Sequence, residues 1–205
     1  MSNVANAADS TDGIHGPVLV LIRGLPGSGK TYLANALQAA LGADKVVLLD
    51  PDAIDFTSET YQVHTQDLTA AGIEEKFHPY RFLLANMRAS ILAHKIILWN
   101  QPFSDLGGFQ RTLENVRTFA AEHGTRLPIL LVEIEISPNA AKARVARRKE
   151  QGGHGPSPDR FDGYAATHAS FADKGVDYAV SVNGEDDVTV SAGAVIQALH
   201  SARPN

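Results

Sequence analysis

The segment Gly24-Leu25-Pro26-Gly27-Ser28-Gly29-Lys30-Thr31 restricts the folds open to this 205-residue chain more than any other stretch. It reads G-x-x-x-x-G-K-[ST], follows the apolar run Val18 to Arg23, and leads into helix formers from Lys30 to Leu41 that stop at Gly42. A strand, a glycine-rich turn and a helix in that order point successive backbone N–H groups and the positive helix end at one place, where a polyphosphate sits. Gly24, Gly27, Ser28 and Gly29 form the cradle, Lys30 brings a full charge to the β- and γ-phosphates, and the Thr31 hydroxyl suits Mg²⁺. ATP and Mg²⁺ are the expected ligands.

The remainder alternates in the same way. Apolar runs at Val46 to Leu49, Lys95 to Trp99, Ile129 to Ile136 and Tyr178 to Val182 join the first as five expected strands. Their continuous apolar character predicts an α/β protein with a parallel sheet buried on both faces. Helices are expected over Lys30 to Leu41, around Tyr80, Leu84, Met87 and Ile91, and over Gly107 to His123, Pro138 to Glu150 and Ser191 to His200. Ala53 to Lys76 is also taken as helical. Gln151 to Pro158, rich in Gly and Pro, reads as a mobile loop within a lid at about residues 140–160.

With 44% hydrophobic residues the chain suits one globular domain, expected over 17–205 after a loose polar tail, 1–16. A net charge of −5 disfavours a protein that coats long nucleic acid. No cysteine is present, which removes disulfides, thiolate zinc sites and cysteine nucleophiles. No apolar stretch approaches the roughly 20 residues of a membrane span. A soluble cytoplasmic protein, not a membrane one, is the expectation. The eight histidines are scattered singly, so zinc is not expected either.

Strand ends line the ligand crevice in open parallel sheets, which draws attention to Asp50 and Asp52 after the second strand. One carboxylate there can accept the proton of an attacking hydroxyl, the role expected of Asp52, while Asp50 steadies a hydrated metal. A helix cap is the competing role for Asp52. The third strand ends in Asn100 and Gln101, where many ATPases place an aspartate; either side chain can orient a water or an acceptor, or face solvent. The base-reading N-K-x-D of GTPases is absent, and Asp105-x-x-Gly108 alone carries little weight. Arg144, Arg147 and Arg148 fall on one helix face and can close on a transferring phosphoryl group. Arg160 and His154 are weaker candidates.

With GLPGSGKT, the Asp50-Pro51-Asp52 strand end and the segment RVARRKEQGGHGPSP in place, the chain resembles small P-loop kinases of the zeta-toxin-like and polynucleotide-kinase-like group over roughly Val18 to Val182. The resemblance implies a three-layer P-loop NTPase fold, sheet order 2-3-1-4-5, an acceptor-side base at Asp52 and a basic lid at Arg144 to Arg148. It also implies that the acceptor lies between the second and third strands. Two positions depart from the group. Asp55 stands where a basic residue is common, which weighs against an anionic group on the acceptor there, and Asn100 stands where an acidic residue is usual. Three functions follow as expectations: an ATP-dependent phosphotransferase acting on a hydroxyl of a small metabolite or nucleotide, a kinase of UDP-N-acetylglucosamine, or an ATP-binding regulatory module without transfer.

Overall fold

A computed structural model describes residues 17–202; the expected tail, 1–16, lies outside the described residues. Five strands form one parallel sheet in the order β2-β3-β1-β4-β5. They are β1 (Val18–Gly24), β2 (Val46–Leu49), β3 (Ile96–Asn100), β4 (Ile129–Glu135) and β5 (Tyr178–Asn183). The helices are α1 (Lys30–Leu41), α2 (Glu59–Ala70), α3 (His78–Leu92), α4 (Leu106–Glu122), α5 (Pro138–Glu150), α6 (Pro158–Thr167) and α7 (Val188–Ser201).

Alternation along the strands sorts the core into two layers. Leu19 and Leu21 of β1, with Ile97, Trp99, Ile129 and Leu131, pack under α3 and α4. Val18, Val20 and Ile22, with Ile96, Leu98, Leu130 and Val132, pack under α1 and α7. Every residue of β1 is buried, which is why its sequence is apolar on both faces. Each such leucine or isoleucine stabilises the fold by roughly 1.5–3 kcal/mol on burial. A third, small cluster of Leu25, Ala141, Val145 and Phe161 fastens α5 and α6 to the phosphate loop.

Local chemistry corrects several sequence expectations. Of Ala53 to Lys76 only Glu59–Ala70 is α-helical, starting where the Ser58 side chain accepts a hydrogen bond from the Tyr61 N–H. Short 3₁₀ turns at Pro51–Ala53 and Glu75–Phe77 mark the two ends of that segment, and turns and irregular backbone fill the stretches between them and the helix. Asp105 of the D-x-x-G match is the N-cap of α4, accepting from the Gly108 N–H. Helix α6 was not expected: Ser157 caps it and Pro158 occupies its first turn, so the lid continues beyond residue 160.

At the carboxyl end of β1, Arg23 is 1% exposed and paired with Glu133 of β4 at 2.7 Å. Its Nε donates to the Phe103 carbonyl, and its guanidinium stacks 3.8 Å from the Phe171 ring centroid. Glu133 also accepts from the Phe171 N–H and the Ser170 hydroxyl. Burial lowers the Arg23 pKa, and the charge of Glu133 opposes that. The pair thereby ties the segment after β3 and the segment before β5 to the sheet. Phe103 is held at a φ of 46°, a left-handed conformation that a bulky residue adopts only when its surroundings impose it.

Removing one partner leaves a buried, uncompensated charge. Glu133→Ala should therefore lower unfolding stability in urea by about 3–5 kcal/mol, with Arg23→Met/Glu133→Leu recovering much of the loss. A loss below about 1 kcal/mol in Glu133→Ala would show that the pair does not anchor the fold.

Candidate phosphate and acceptor site

The phosphate loop takes its shape from two glycines in left-handed conformations, Gly27 at φ 83° and Gly29 at φ 102°. At Gly27 space is decisive as well: a Cβ there would stand 2.4 Å from the Ala141 carbonyl oxygen of α5. The lid helix thus rests directly on the loop. On its other flank a Cβ at Gly184, in the β5–α7 turn, would stand 2.7 Å from the Ser28 carbonyl oxygen. Ser28 is fully buried beneath the loop, with its hydroxyl close to Gly24.

Lys30 opens α1, and its Nζ donates to the carbonyls of Gly24 and Leu25, both at 3.0 Å. Its pKa is lowered to about 8, first by burial; Asp52 raises it, Arg148 lowers it further and Asp50 raises it. Those influences also show that the loop lysine, the β2 carboxylates and the lid share one electrostatic environment.

The end of β3 supplies the link between loop and carboxylate. Register sets Leu49 beside Trp99 and Ile22 beside Asn100, so the ends of β2, β3 and β1 meet. Asn100 is buried, and its Nδ2 donates to Asp50 Oδ2 at 2.5 Å and to Thr31 Oγ1 at 3.1 Å. Asp50 Oδ1 accepts the Asp52 N–H at 2.9 Å, so Asp50, not Asp52, caps the turn that follows. The solvent-facing alternative for Asn100 is therefore corrected. Its Oδ1 is buried without a hydrogen-bond partner, beside the Thr31 hydroxyl and the Asp50 carboxylate. An oxygen-rich corner with a spare acceptor fits a hydrated Mg²⁺, which keeps most of its waters, and those waters donate hydrogen bonds to such groups.

These groups face a cavity of about 910 Å³, large enough for a nucleotide and a small second ligand. Lys30, Thr31, Asp50, Asp52, Asn100 and the lid residues Arg144, Arg147 and Arg148 all line it. The arginine face expected from spacing is thus brought to the site. Arg144 is already engaged, donating to the Gly184 carbonyl at 2.8 Å. Asp52 is largely exposed, and His154 of the lid reaches across to it, Nε2 to Oδ2 at 3.6 Å. His154, a weaker candidate by sequence, is therefore part of the wall.

Tyr164 and Pro102 also line the cavity, and sequence reasoning passed over both. The signal for Tyr164 was its spacing of four from Arg160 behind a Ser-Pro cap. Asp55 is not in the wall: its carboxylate accepts from Thr57 N and Oγ1, which lowers its pKa. Tyr80 packs near Trp99, with ring centroids 6.4 Å apart, and is not in the wall.

The lowered pKa of Lys30 has a direct consequence. Phosphate prefers the ammonium form and would raise the pKa on binding, so binding above pH 8 must take up a proton. ATP affinity should be flat between about pH 7 and 8 and fall by up to about tenfold per unit above that, measured by calorimetry. An affinity unchanged to about pH 9.5 would contradict this account.

Structures that share this fold include Chaetomium thermophilum Kti12 in complex with ADP-AlF3, at 16% identity over 91% of this chain and all (100%) of that one, with a TM-score of 0.59. A gluconokinase from Sinorhizobium meliloti 1021 aligns at 14% identity over 90% of this chain and 93% of that one, TM-score 0.54. A deoxyadenosine kinase from M. mycoides, determined with dCMP and dCDP, aligns at 15% identity over 90% of this chain and 100% of that one, TM-score 0.51. No curated protein sequence matches the chain. Among the described residues no helix is long and apolar enough to cross a membrane. The family profile described as "AAA domain" matches residues 19–170, and the chain belongs to that family, with the P-loop kinase-like fold.

Proposed function

We propose that this chain is an ATP-dependent phosphotransferase that moves the γ-phosphoryl group to a hydroxyl of a small acceptor. One observation carries the proposal: an exposed carboxylate, Asp52, stands in the same cavity as Lys30, the Thr31–Asn100–Asp50 group and the lid arginines. A protein that only holds nucleotide has no need of a carboxylate on the acceptor side.

The chain's groups divide the work. Backbone N–H groups from Gly24 to Gly29 hold the phosphates, and the Lys30 ammonium, released from the Gly24 and Leu25 carbonyls, takes the β- and γ-oxygens. Thr31 would ligate Mg²⁺ and Asn100 and Asp50 would orient its waters; bound there, the ion offsets charge on the phosphate oxygens. Asp52 accepts the proton of the acceptor hydroxyl as its oxygen attacks phosphorus in line. One O–P bond forms, the bond from phosphorus to the β-phosphate oxygen breaks, and ADP leaves with that electron pair. Arg147 and Arg148 stabilise the charge spread over the equatorial oxygens. Arg144, anchored at Gly184, is better placed to steady the lid against the β5–α7 turn.

Asp52→Asn is the decisive variant. It should leave ATP affinity within about twofold and cut transfer by about 10²-fold or more, because only the proton acceptor is lost. Transfer would be followed as label passing from [γ-³²P]ATP to a panel of polyols, hydroxy acids, nucleosides, nucleotides and UDP-N-acetylglucosamine. Unchanged transfer in Asp52→Asn would remove the base assignment. Tight ATP binding with no labelled acceptor would favour the regulatory module, and label in UDP-N-acetylglucosamine alone would favour the nucleotide-sugar kinase.

A further inference from the structure

Helix α6 brings a cation to the cavity that neither the phosphate loop nor the proton transfer uses. Arg160 and Tyr164 are four residues apart and both face the cavity. The Arg160 Nε donates to the Tyr164 hydroxyl at 3.1 Å, and its guanidinium carbon lies 5.7 Å from that ring centroid. Phe161, next to Arg160 on the helix, is 1% exposed against Leu25, Ala141 and Val145, and Tyr164 packs against the same cluster. Rolling the helix would uncover that ring, so the direction of Arg160 and Tyr164 is set by packing.

Arg160 makes no ion pair among the described residues, whereas the nearby Asp162 is paired with Lys142 at 2.8 Å. Sheet order then says which ligand the free cation meets. The phosphate loop follows β1 at the centre of the sheet, with β4 and β5 on one side and β3 and β2 on the other. Arg144 is bonded to Gly184 after β5, at one end of the cavity. Tyr164 and Pro102 border a small recess that runs behind the loop to Arg23 and His168, and Pro102 follows β3. Through its bond to Tyr164, Arg160 is tied to the Pro102 side of the cavity, the side of β3, and Asp52 follows β2, the strand next to β3. Asp55, whose charge weighed against an anionic acceptor, is turned away toward Thr57.

We propose that Arg160, held by Tyr164, is a subsite for an anionic group, a carboxylate or a phosphate monoester, carried by the acceptor. The word acceptor rests on the phosphotransferase reading; the anion site itself does not. Asp52 repels an anion beside it, so the hydroxyl end of the ligand turns to Asp52 and the anionic end to Arg160. A guanidinium recognises either anion through paired N–H donors, and a neutral polyol gains nothing there.

The test uses the whole chain saturated with Mg²⁺ and AMP-PNP, which fills the phosphate loop. Inorganic phosphate and, separately, glycolate are titrated in by calorimetry at constant ionic strength. At least one of the two should bind as one further anion per chain, and the one that binds names the preferred chemistry. Arg160→Gln should weaken that binding by about tenfold or more, with Arg160→Lys retaining part of it and AMP-PNP affinity unchanged. Failure of both anions to bind overturns the proposal, as does equal binding to Arg160→Gln. A loss of AMP-PNP affinity in Arg160→Gln also overturns it, by giving the arginine to the nucleotide. Anion binding without transfer to any compound would count against the phosphotransferase alone, and transfer without anion binding against the subsite alone.

Discussion

Two hydrogen bonds from the Asn100 amide, to Asp50 and to Thr31, join the ends of β2 and β3 to the start of α1 in one site. They exist because β3 lies between β2 and β1, with Leu49 beside Trp99 and Ile22 beside Asn100. An aspartate at position 100 would set a second carboxylate against Asp50 in a buried corner, and two like charges there resist joint ionisation. An amide donates where the carboxylate accepts, so a single buried negative charge remains. The carboxylate of this corner comes from β2, and Asn100 of β3 holds it in position.

The lid is built on the same loop. Gly27 lets the Ala141 backbone approach, Leu25 packs with Val145 and Phe161, and Gly184 closes against Ser28 on the other flank. The loop is therefore in direct contact with α5 and with the β5–α7 turn. The Arg23–Glu133 pair performs the corresponding task beneath, holding the segments that carry Pro102 and lead out of α6. Charge in the cavity is divided along the sheet: Arg144 toward β5, Lys30 and Arg148 about the loop, and Asp52 after β2.

Much of this was legible in the sequence because it depends on local pattern. Short apolar runs marked all five strands, and α1 and α5 keep the bounds expected from sequence, Lys30–Leu41 closing at Gly42 and Pro138–Glu150. The sheet order came through resemblance, since no local signal orders parallel strands. Asn100 was noticed at its strand end, yet its partners lie 50 and 69 residues away, which only register reveals. Helix α6 escaped because the glycines and prolines before it suggested a loop, although Ser157-Pro158 is a helix start. Spacing after Asp52 says nothing about direction, and the Asp55 carboxylate is turned to its own Thr57, out of the cavity.

The claim that Asn100 and Asp50 together form the metal side of a transfer site can be met directly by measuring ADP affinity with and without Mg²⁺. Asp50→Asn and Asn100→Leu should leave metal-free ADP affinity within about twofold. Each should remove most of the gain that Mg²⁺ brings, by about tenfold or more. Variants that retain the full Mg²⁺ dependence while folding normally would contradict the account.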